Sequence, residues 1–234
     1  MNLNSKKKNK SSGFTLLELL IVIAIIAILS VALVIVLNPS ETLKKARDSQ
    51  RISDLSTLKT AIGLYITNTS TPLLNNVAAN AGCKATASGT RALGGGEKVY
   101  YSYPSDSPGS AITDATVDGA TTTPVVQALA ANYTKTGGTG WLPINFDGLP
   151  GGSPISSLPI DPVNTLVSPD TVTSISNASL VYRYSCAISP LTYEIDAILE
   201  SAAFAGNMTT DGGNNSSYYE TGTNMFVLGA GTDF

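Results

Sequence analysis

The sequence predicts an α+β fold in which a long N-terminal helix packs against a small antiparallel sheet. Residues 14–37 form an apolar run, and residues 52–66 carry apolar side chains at helical spacing. Residues 178–201 instead show the apolar–polar alternation of two neighbouring strands. Because the helical patterns precede the strand patterns and do not alternate with them, an α+β arrangement is favoured over a parallel α/β one.

Three consecutive regions are expected along the chain. Residues 1–13 form a leader, residues 14–66 form the long helix, and residues 67–234 form a globular head. Only residues 14–37 of the helix are apolar throughout, apart from Thr15, Glu18 and Ser30, so this half is the expected membrane span.

The composition of the 234-residue chain excludes several classes of enzyme. Histidine is absent, which removes Ser-His-Asp and Cys-His nucleophile arrangements and histidine-based zinc sites. No phosphate-binding loop of the form G-x-x-x-x-G-K-[ST] and no G-x-S-x-G elbow is present. We therefore expect neither catalytic residues nor an enzyme, and we expect no cofactor.

The charges favour a single orientation in the membrane. The leader carries four lysines and no acidic residue, whereas the rest of the chain carries ten basic and seventeen acidic residues. Positive segments stay in the cytoplasm, so the leader is predicted to be cytoplasmic and the head extracytoplasmic. The apolar run would extend about 36 Å as a helix, enough to cross a bilayer core and longer than the apolar part of a secretory signal peptide.

Helicity is expected to continue beyond the apolar run. Asn38, Pro39 and Glu41 have the order of a helix start, so we expect one long helix with a bend near Pro39. The apolar side chains that follow at helical spacing need a partner outside the membrane, which we expect to be the sheet. They are Ile52, Leu55, Leu58, Ala61, Ile62, Tyr65 and Ile66.

The strands of the head are predicted from alternation and turn signals. Residues 178–189 and 191–201 are expected to pair as a hairpin around Ser189-Pro190, with one face buried and with Glu194 and Asp196 pointing outward. Further strands are predicted at Val99–Tyr103 and Met225–Leu228. A short helix is predicted from Pro124 to Tyr133, capped by Thr123.

One acidic residue inside the apolar run is the strongest functional signal. Glu18 would cost about 2.5–3.5 kcal/mol at the centre of a bilayer, and such a residue is functional by default. Cleavage between Gly13 and Phe14 would create an α-amino group about one helical turn away that could neutralise Glu18 in the same or a neighbouring chain. An uncleaved anchor, with Glu18 at the headgroups, is the simpler alternative.

The run Gly13-Phe14-Thr15-Leu16-Leu17-Glu18, followed by the apolar stretch, resembles the class III signal of type IV pilins and type II secretion pseudopilins. The resemblance implies a pilin-like fold, cleavage after Gly13 by a prepilin peptidase and N-methylation of Phe14. It also implies assembly through Glu18 into a homo-oligomeric filament, driven by a membrane platform protein and an assembly ATPase. Residues 45–65 are similar to pseudopilin stems, and residues 158–164 resemble a head loop of that family.

The expected function is therefore that of a structural filament subunit. Before cleavage it would be a single-pass protein of the inner (cytoplasmic) membrane, and after assembly it would lie in an extracytoplasmic pilus or pseudopilus. The alternative is a low-copy minor pilin that acts as an adhesin or a DNA-uptake receptor. Direct nucleic-acid binding is not expected, because the region after the leader is acidic.

Two further sites are considered in the head. Cys83 and Cys186 form an even pair in a domain exported to an oxidising compartment, which suggests a disulfide, although Cys186 could also be a small buried apolar residue. No metal site is predicted outright. Oxygen ligands for calcium could come from Asp161, Asn164 and Asp211, as in C-terminal loops of some major pseudopilins, but turn formation explains the same residues.

Overall fold

A computed structural model describes residues 13–85, 97–105, 111–114, 122–129, 131–164, 174–175 and 179–229. Almost all of the predicted leader lies outside these residues, so its role and the division into leader, helix and head stay predictions. The chain divides into two compact units, Met1–Leu43 and Lys44–Phe234.

The first unit contains helix α1, which spans Leu16–Leu37. Within the described residues, its segment Leu16–Val34 is the one stretch of helix long and apolar enough to cross a membrane. The helix ends at Asn38, which adopts a left-handed conformation with φ of 40°. A left-handed residue interrupts the regular hydrogen bonds of the helix, and asparagine tolerates this conformation better than most residues.

Helix α2 spans Pro39–Asn68 and follows directly. Asn38 serves its start as well, since the Asn38 carbonyl oxygen accepts a hydrogen bond from Thr42 N at 3.1 Å and Asn38 Oδ1 accepts one from Glu41 N at 3.4 Å. Pro39 fits the first helical position because its missing N–H would have no partner there. Most of the apolar positions predicted to face a partner are buried, namely Leu55, Leu58, Ala61, Ile62 and Tyr65.

The head contains a sheet with an antiparallel core of four strands, which confirms the α+β prediction. Strands β1 (Val99–Ser105), β5 (Arg183–Ala187), β6 (Thr192–Ala197) and β7 (Tyr219–Gly222) lie side by side in the order β1-β5-β6-β7. The predicted hairpin is formed by β5 and β6, with Cys186 opposite Tyr193.

Three further strands extend this core. They are β2 (Ala111–Asp114), β3 (Thr122–Leu129) and β4 (Ser174–Ile175), and they give the order β4-β2-β3-β1 on that side. Strand β3 runs parallel to β1 and antiparallel to β2.

Two local predictions are wrong. The helix expected over residues 124–133 is not formed, because Thr122–Leu129 is strand β3. Its β-branched residues favour a strand, and pairing on both sides outweighs the local helix signals. The strand expected at residues 225–228 is replaced by turns, and β7 lies earlier, at residues 219–222.

The core lies between α2 and one face of the sheet. Tyr182, Tyr184 and Tyr193 of the hairpin are buried in the same apolar cluster as the inner face of α2. Tyrosine hydroxyls also link the two layers, since Tyr193 Oη donates to Lys59 O at 3.1 Å and Tyr182 Oη donates to Asp54 at 2.8 Å.

The opposite face of the hairpin is also buried, which corrects the prediction of a single buried face. Glu194 and Asp196 were expected to point to solvent, yet both are fully buried. Asp196 pairs with Arg183 on β5, and Glu194 Oε2 accepts hydrogen bonds from Val227 N and Leu228 N, each at 2.8 Å. The chain after β7 therefore packs on this face and supplies backbone donors to the buried carboxylate.

Candidate functional site

The predicted cleavage bond lies in accessible, non-helical backbone. Residues 13–15 precede α1 without helical structure, and the Phe14 side chain is 82% exposed. A Cβ atom added to Gly13 would meet nothing within 4 Å. Peptidases bind extended segments, so this geometry is compatible with cleavage after Gly13.

Thr15 and Glu18 form a capping box at the start of α1. Glu18 Oε2 accepts hydrogen bonds from Thr15 N and Thr15 Oγ1, each at 2.9 Å, and Thr15 Oγ1 accepts one from Glu18 N at 3.2 Å. The sequence interpretation considered only a new α-amino group as the partner of Glu18. The Thr-x-x-Glu spacing, a known capping signature, would have revealed this second, local partner.

The capping box determines where the Glu18 carboxylate lies. It is held in the first turn of the helix, where the helix dipole favours a negative charge. Thr15, which donates to this carboxylate, directly follows Phe14 in the chain. A positive group at Phe14 N would therefore be created next to Thr15, the residue that donates to the oriented Glu18 carboxylate.

The rest of α1 presents large apolar side chains to the surroundings. The exposed fractions of Leu16, Leu17 and Ile28, for example, are 81%, 68% and 71%. Soluble proteins rarely expose a continuous apolar surface of this kind, which marks a membrane or protein interface.

Comparison with known families decides the nature of this segment. Residues 8–34 match the model of the prokaryotic N-terminal methylation motif. The segment is a class III signal of the type IV pilin and pseudopilin kind. The match covers this signal and most of α1, and it does not extend into the head. No curated protein and no solved structure matches the chain.

Downstream of the class III signal, an ion-pair network fixes α2 to the head. Arg51 Nε donates to Asp161 Oδ2 at 2.6 Å and Arg51 Nη2 donates to Asp161 Oδ1 at 3.0 Å, which is a bidentate pair. Arg51 Nη1 also donates to Asp48 at 2.8 Å and to Glu200 at 2.7 Å. We call these residues, together with Arg47, the Arg51 network.

The Arg51 network is buried and electrostatically coupled. The side chains of Arg51, Asp48 and Asp161 are 0% exposed. Burial opposes the charge on Arg51, but hydrogen bonds to Asp161, Glu200 and Asp48 raise its pKa above the ordinary value. Burial likewise opposes the charge on Asp48, and hydrogen bonds from Ser201, Glu200 and Arg51 outweigh it and lower the pKa of Asp48. Arg51 and Asp48 are therefore charged in the folded protein.

This network joins two segments that the sequence singled out separately. The stem-like stretch contributes Arg51, and the 158–164 loop contributes Asp161. Glu200, which follows β6, was not predicted to take part, because its partners lie about 150 positions earlier in the chain and no local spacing reports such a pairing.

The structure joins Cys83 and Cys186 in a disulfide, with Cα atoms 4.7 Å apart. Backbone contacts support the same junction, since Lys84 N donates to Cys186 O at 2.7 Å and Ile188 N donates to Lys84 O at 2.8 Å. The chain after α2 is thereby attached to β5.

The oxygens of two calcium candidates already have protein donors. Both oxygens of Asp161 bind Arg51, and those of Asp211 accept hydrogen bonds from Gly213 N and Glu220 N, at 3.0 Å and 2.8 Å. Asn164 is the exception, because its Oδ1 is buried without a hydrogen bond. Among the described residues, no cluster of three or more acidic or cysteine side chains is arranged to hold a metal ion.

A pair of buried carboxyl groups was missed by the sequence interpretation. Glu194 is 0% exposed and Glu220 is 2% exposed, and Oε1 of each has no hydrogen-bond donor. Burial, reinforced by Glu220, raises the pKa of Glu194 well above its usual value, and burial raises the pKa of Glu220 to about 7. The available signal was Gly222, which lies opposite Glu194 in the register; a Cβ atom there would collide with Tyr193 O, so glycine permits the close approach of the two strands.

Proposed function

We propose that this protein is a structural subunit of a type IV pilus or a type II secretion-like pseudopilus. In this proposal a prepilin peptidase removes the leader after Gly13, and Phe14 becomes the N-methylated first residue. The apolar α1 helices then leave the inner membrane and form the core of a filament with the acidic heads outside. An assembly ATPase and a membrane platform protein supply the driving force.

The observation that carries the proposal is the combination of the class III signal with a bare apolar helix. The signal ends inside α1, and none of the α1 side chains that the structure describes is buried within its own unit. Such a helix needs contact with lipid before assembly and with other copies of itself afterwards, because exposure of its apolar surface to water is unfavourable in both cases.

Glu18 has the proposed role of aligning neighbouring subunits. A carboxylate in an apolar helix bundle is costly when single and is stabilised when it meets a cation. The Phe14 ammonium group created by cleavage is such a cation. The ammonium group of a neighbour would give the Glu18 carboxylate a charged donor in addition to the hydrogen bonds from Thr15.

Mass spectrometry of the mature N-terminus tests the processing step. The chain is expressed in cells with a prepilin peptidase, and the expected N-terminal residue is a methylated Phe14. An intact Met1 on all molecules would contradict the proposal.

Glu18→Ala tests the assembly step. The variant should insert into the membrane and should be processed, yet it should yield few or no filaments, because the ammonium group of a neighbour loses its partner. Ser30→Ala is the matched control, since the Ser30 hydroxyl donates only to Ile26 O of its own helix, at 2.7 Å. A normal filament yield from Glu18→Ala, counted by electron microscopy, would refute the role of Glu18.

A further inference from the structure

A cavity of about 380 Å³ opens in the head between three segments of chain. We infer that this cavity binds a small carboxylate-bearing molecule of about the size of a monosaccharide. Its volume lies in the range of small-ligand sites, roughly 300–1,000 Å³. The inference concerns the head alone and does not depend on filament assembly. The residues that carry the argument are Asn75, Asn76, Val77, Lys98, Tyr100 and Pro143.

One wall of the cavity is held in place by a dense set of contacts. Asn80 Oδ1 accepts a hydrogen bond from Leu74 N at 2.6 Å, and Asn80 Nδ2 donates to Pro72 O at 3.1 Å. Cys83 N donates to Asn80 O at 2.9 Å, and the Cys83 disulfide fixes the end of the segment to β5. The cavity is therefore preformed, which lowers the entropic cost of binding.

The same wall holds backbone conformations that are costly without compensation. Asn76, Ala79 and Asn80 have φ values of 54°, 56° and 52°, in the left-handed region. Asparagine tolerates this region, but alanine has no side-chain hydrogen bond to offset the cost. Such strain persists where the surrounding structure imposes it, and it concentrates at ligand sites.

The polar groups at the cavity are mainly donors. Lys98 makes no ion pair with any residue that the structure describes, and Asn76 Nδ2 makes only a long hydrogen bond, 3.4 Å, to Gly138 O. Asn75 Nδ2 lies beside the Tyr100 hydroxyl without a fully formed hydrogen bond. Burial raises the pKa of Tyr100, so its hydroxyl stays protonated.

Gly82 allows a close approach of polar groups at the back of the cavity. A Cβ atom on this residue would collide with the Asn75 amide and would lie 3.3 Å from Tyr100 Oη and 3.2 Å from Lys98 Cγ. The absence of a side chain thus lets these three residues gather at one end of the cavity.

The chemistry of the lining selects the class of ligand. None of the described residues that line the cavity carries a carboxylate, although the chain as a whole has a net charge of −3. An ammonium group with amide and hydroxyl donors suits an anionic oxygen group, and charge-assisted hydrogen bonds are the stronger kind. Val77, Ala81 and Pro143 supply an apolar wall for a carbon skeleton. A sugar acid has both features.

Titration with D-glucuronate, followed by NMR on the full chain in detergent micelles, tests the inference. Saturable shifts are expected at Asn76, Lys98 and Gly138. D-glucose, which has the ring without the carboxylate, should bind at least about tenfold more weakly, and acetate should compete with glucuronate because it supplies the carboxylate alone.

Lys98→Met is the main variant, because the Lys98 backbone bonds to Gly82 O and Ser185 Oγ do not need the ammonium group. It should weaken glucuronate binding about tenfold or more, whereas Lys59→Met on the exposed face of α2 should not. Asn76→Asp, which tolerates the left-handed backbone and adds a negative charge, should also abolish binding. No saturable shift in the wild type, equal binding of glucose, or unchanged binding by Lys98→Met would overturn the inference.

Discussion

The two units of the chain differ in how they use charge. In the first, Glu18 is the one carboxylate of the apolar helix α1, and within the described residues it has local hydrogen bonds and no ion pair. In the second, Arg51 alone meets three carboxylates, all within the same unit. The carboxylates around Arg51 are therefore neutralised inside their own unit, whereas Glu18, in the assembly that we propose, is neutralised by another molecule. The experiments below test this contrast, from the largest expected effect to the smallest.

Removing the central cation of the head should have the largest effect. Arg51→Met leaves Asp48 and Asp161 buried without their cation, and breaking a buried pair in this way costs about 3–5 kcal/mol. Urea unfolding of the full chain in micelles, followed by tryptophan fluorescence, measures the loss. Lys45→Met, on the exposed part of the same helix, should change the free energy of unfolding by less than about 0.5 kcal/mol. Equal effects of the two variants would show that the network does not stabilise the head.

Loss of the disulfide should cost somewhat less. The double variant Cys83→Ser, Cys186→Ser releases a closed loop of 103 residues, and the free energy of unfolding should fall by about 2–4 kcal/mol. The same urea measurement detects this change. If reducing agent alters the wild type and the double variant equally, the bridge contributes nothing.

The buried carboxyl pair should make the head less stable as the pH rises. The folded head keeps a proton on Glu220 up to its pKa of about 7, whereas the unfolded chain loses that proton near 4.5. The stabilisation is complete below about pH 4.5 and is lost between about 4.5 and 7, by up to about 1.4 kcal/mol per pH unit for each proton. Glu194 extends the loss to higher pH, because its pKa is also raised.

Glu194→Gln provides the control for this pH dependence. The amide cannot ionise, so unfolding curves recorded between pH 5 and 8 should have a smaller slope than those of the wild type. The exposed Asp147→Asn should keep the wild-type slope. An identical slope in all three proteins would show that the buried carboxyl pair does not cause the pH dependence.

Thr15→Val should have the smallest effect. It removes the hydroxyl of the capping box and keeps the shape of the side chain, so the first turn of α1 should lose about 1 kcal/mol. Amide hydrogen exchange at residues 16–18 in micelles measures the fraying, and Thr57→Val, whose hydroxyl donates to Ser53 O at 2.9 Å within α2, is the control. The head should remain unchanged.

The sequence predicted correctly those structural features that depend on residues close together in the chain. The apolar run, the helical spacing of residues 52–66 and the hairpin at Ser189-Pro190 each depend on neighbours within a few positions, and all three were predicted. Strand β3 was mistaken for a helix because its pairing with β1 and β2 comes from distant segments. Glu194 was assigned to solvent because alternation cannot reveal that residues 227 and 228 cover the outer face.

The same limit applies to the candidate sites. Gly13, Phe14 and Glu18 form one contiguous motif, so the class III signal could be recognised from its letters. The Arg51 network and the cavity near Lys98 bring together residues that are tens to more than a hundred positions apart. Only a folded chain shows such contacts.

In the export that we propose, the Arg51 network would form late. Arg51 lies in the first quarter of the chain, but its partners Asp161 and Glu200 lie 110 and 149 residues later. The chain next to the membrane span would reach the outside first, so Arg51 would have only Asp48 as an acidic partner until Asp161 and Glu200 follow. The stem would therefore dock rigidly only after almost the entire length of the chain had been exported.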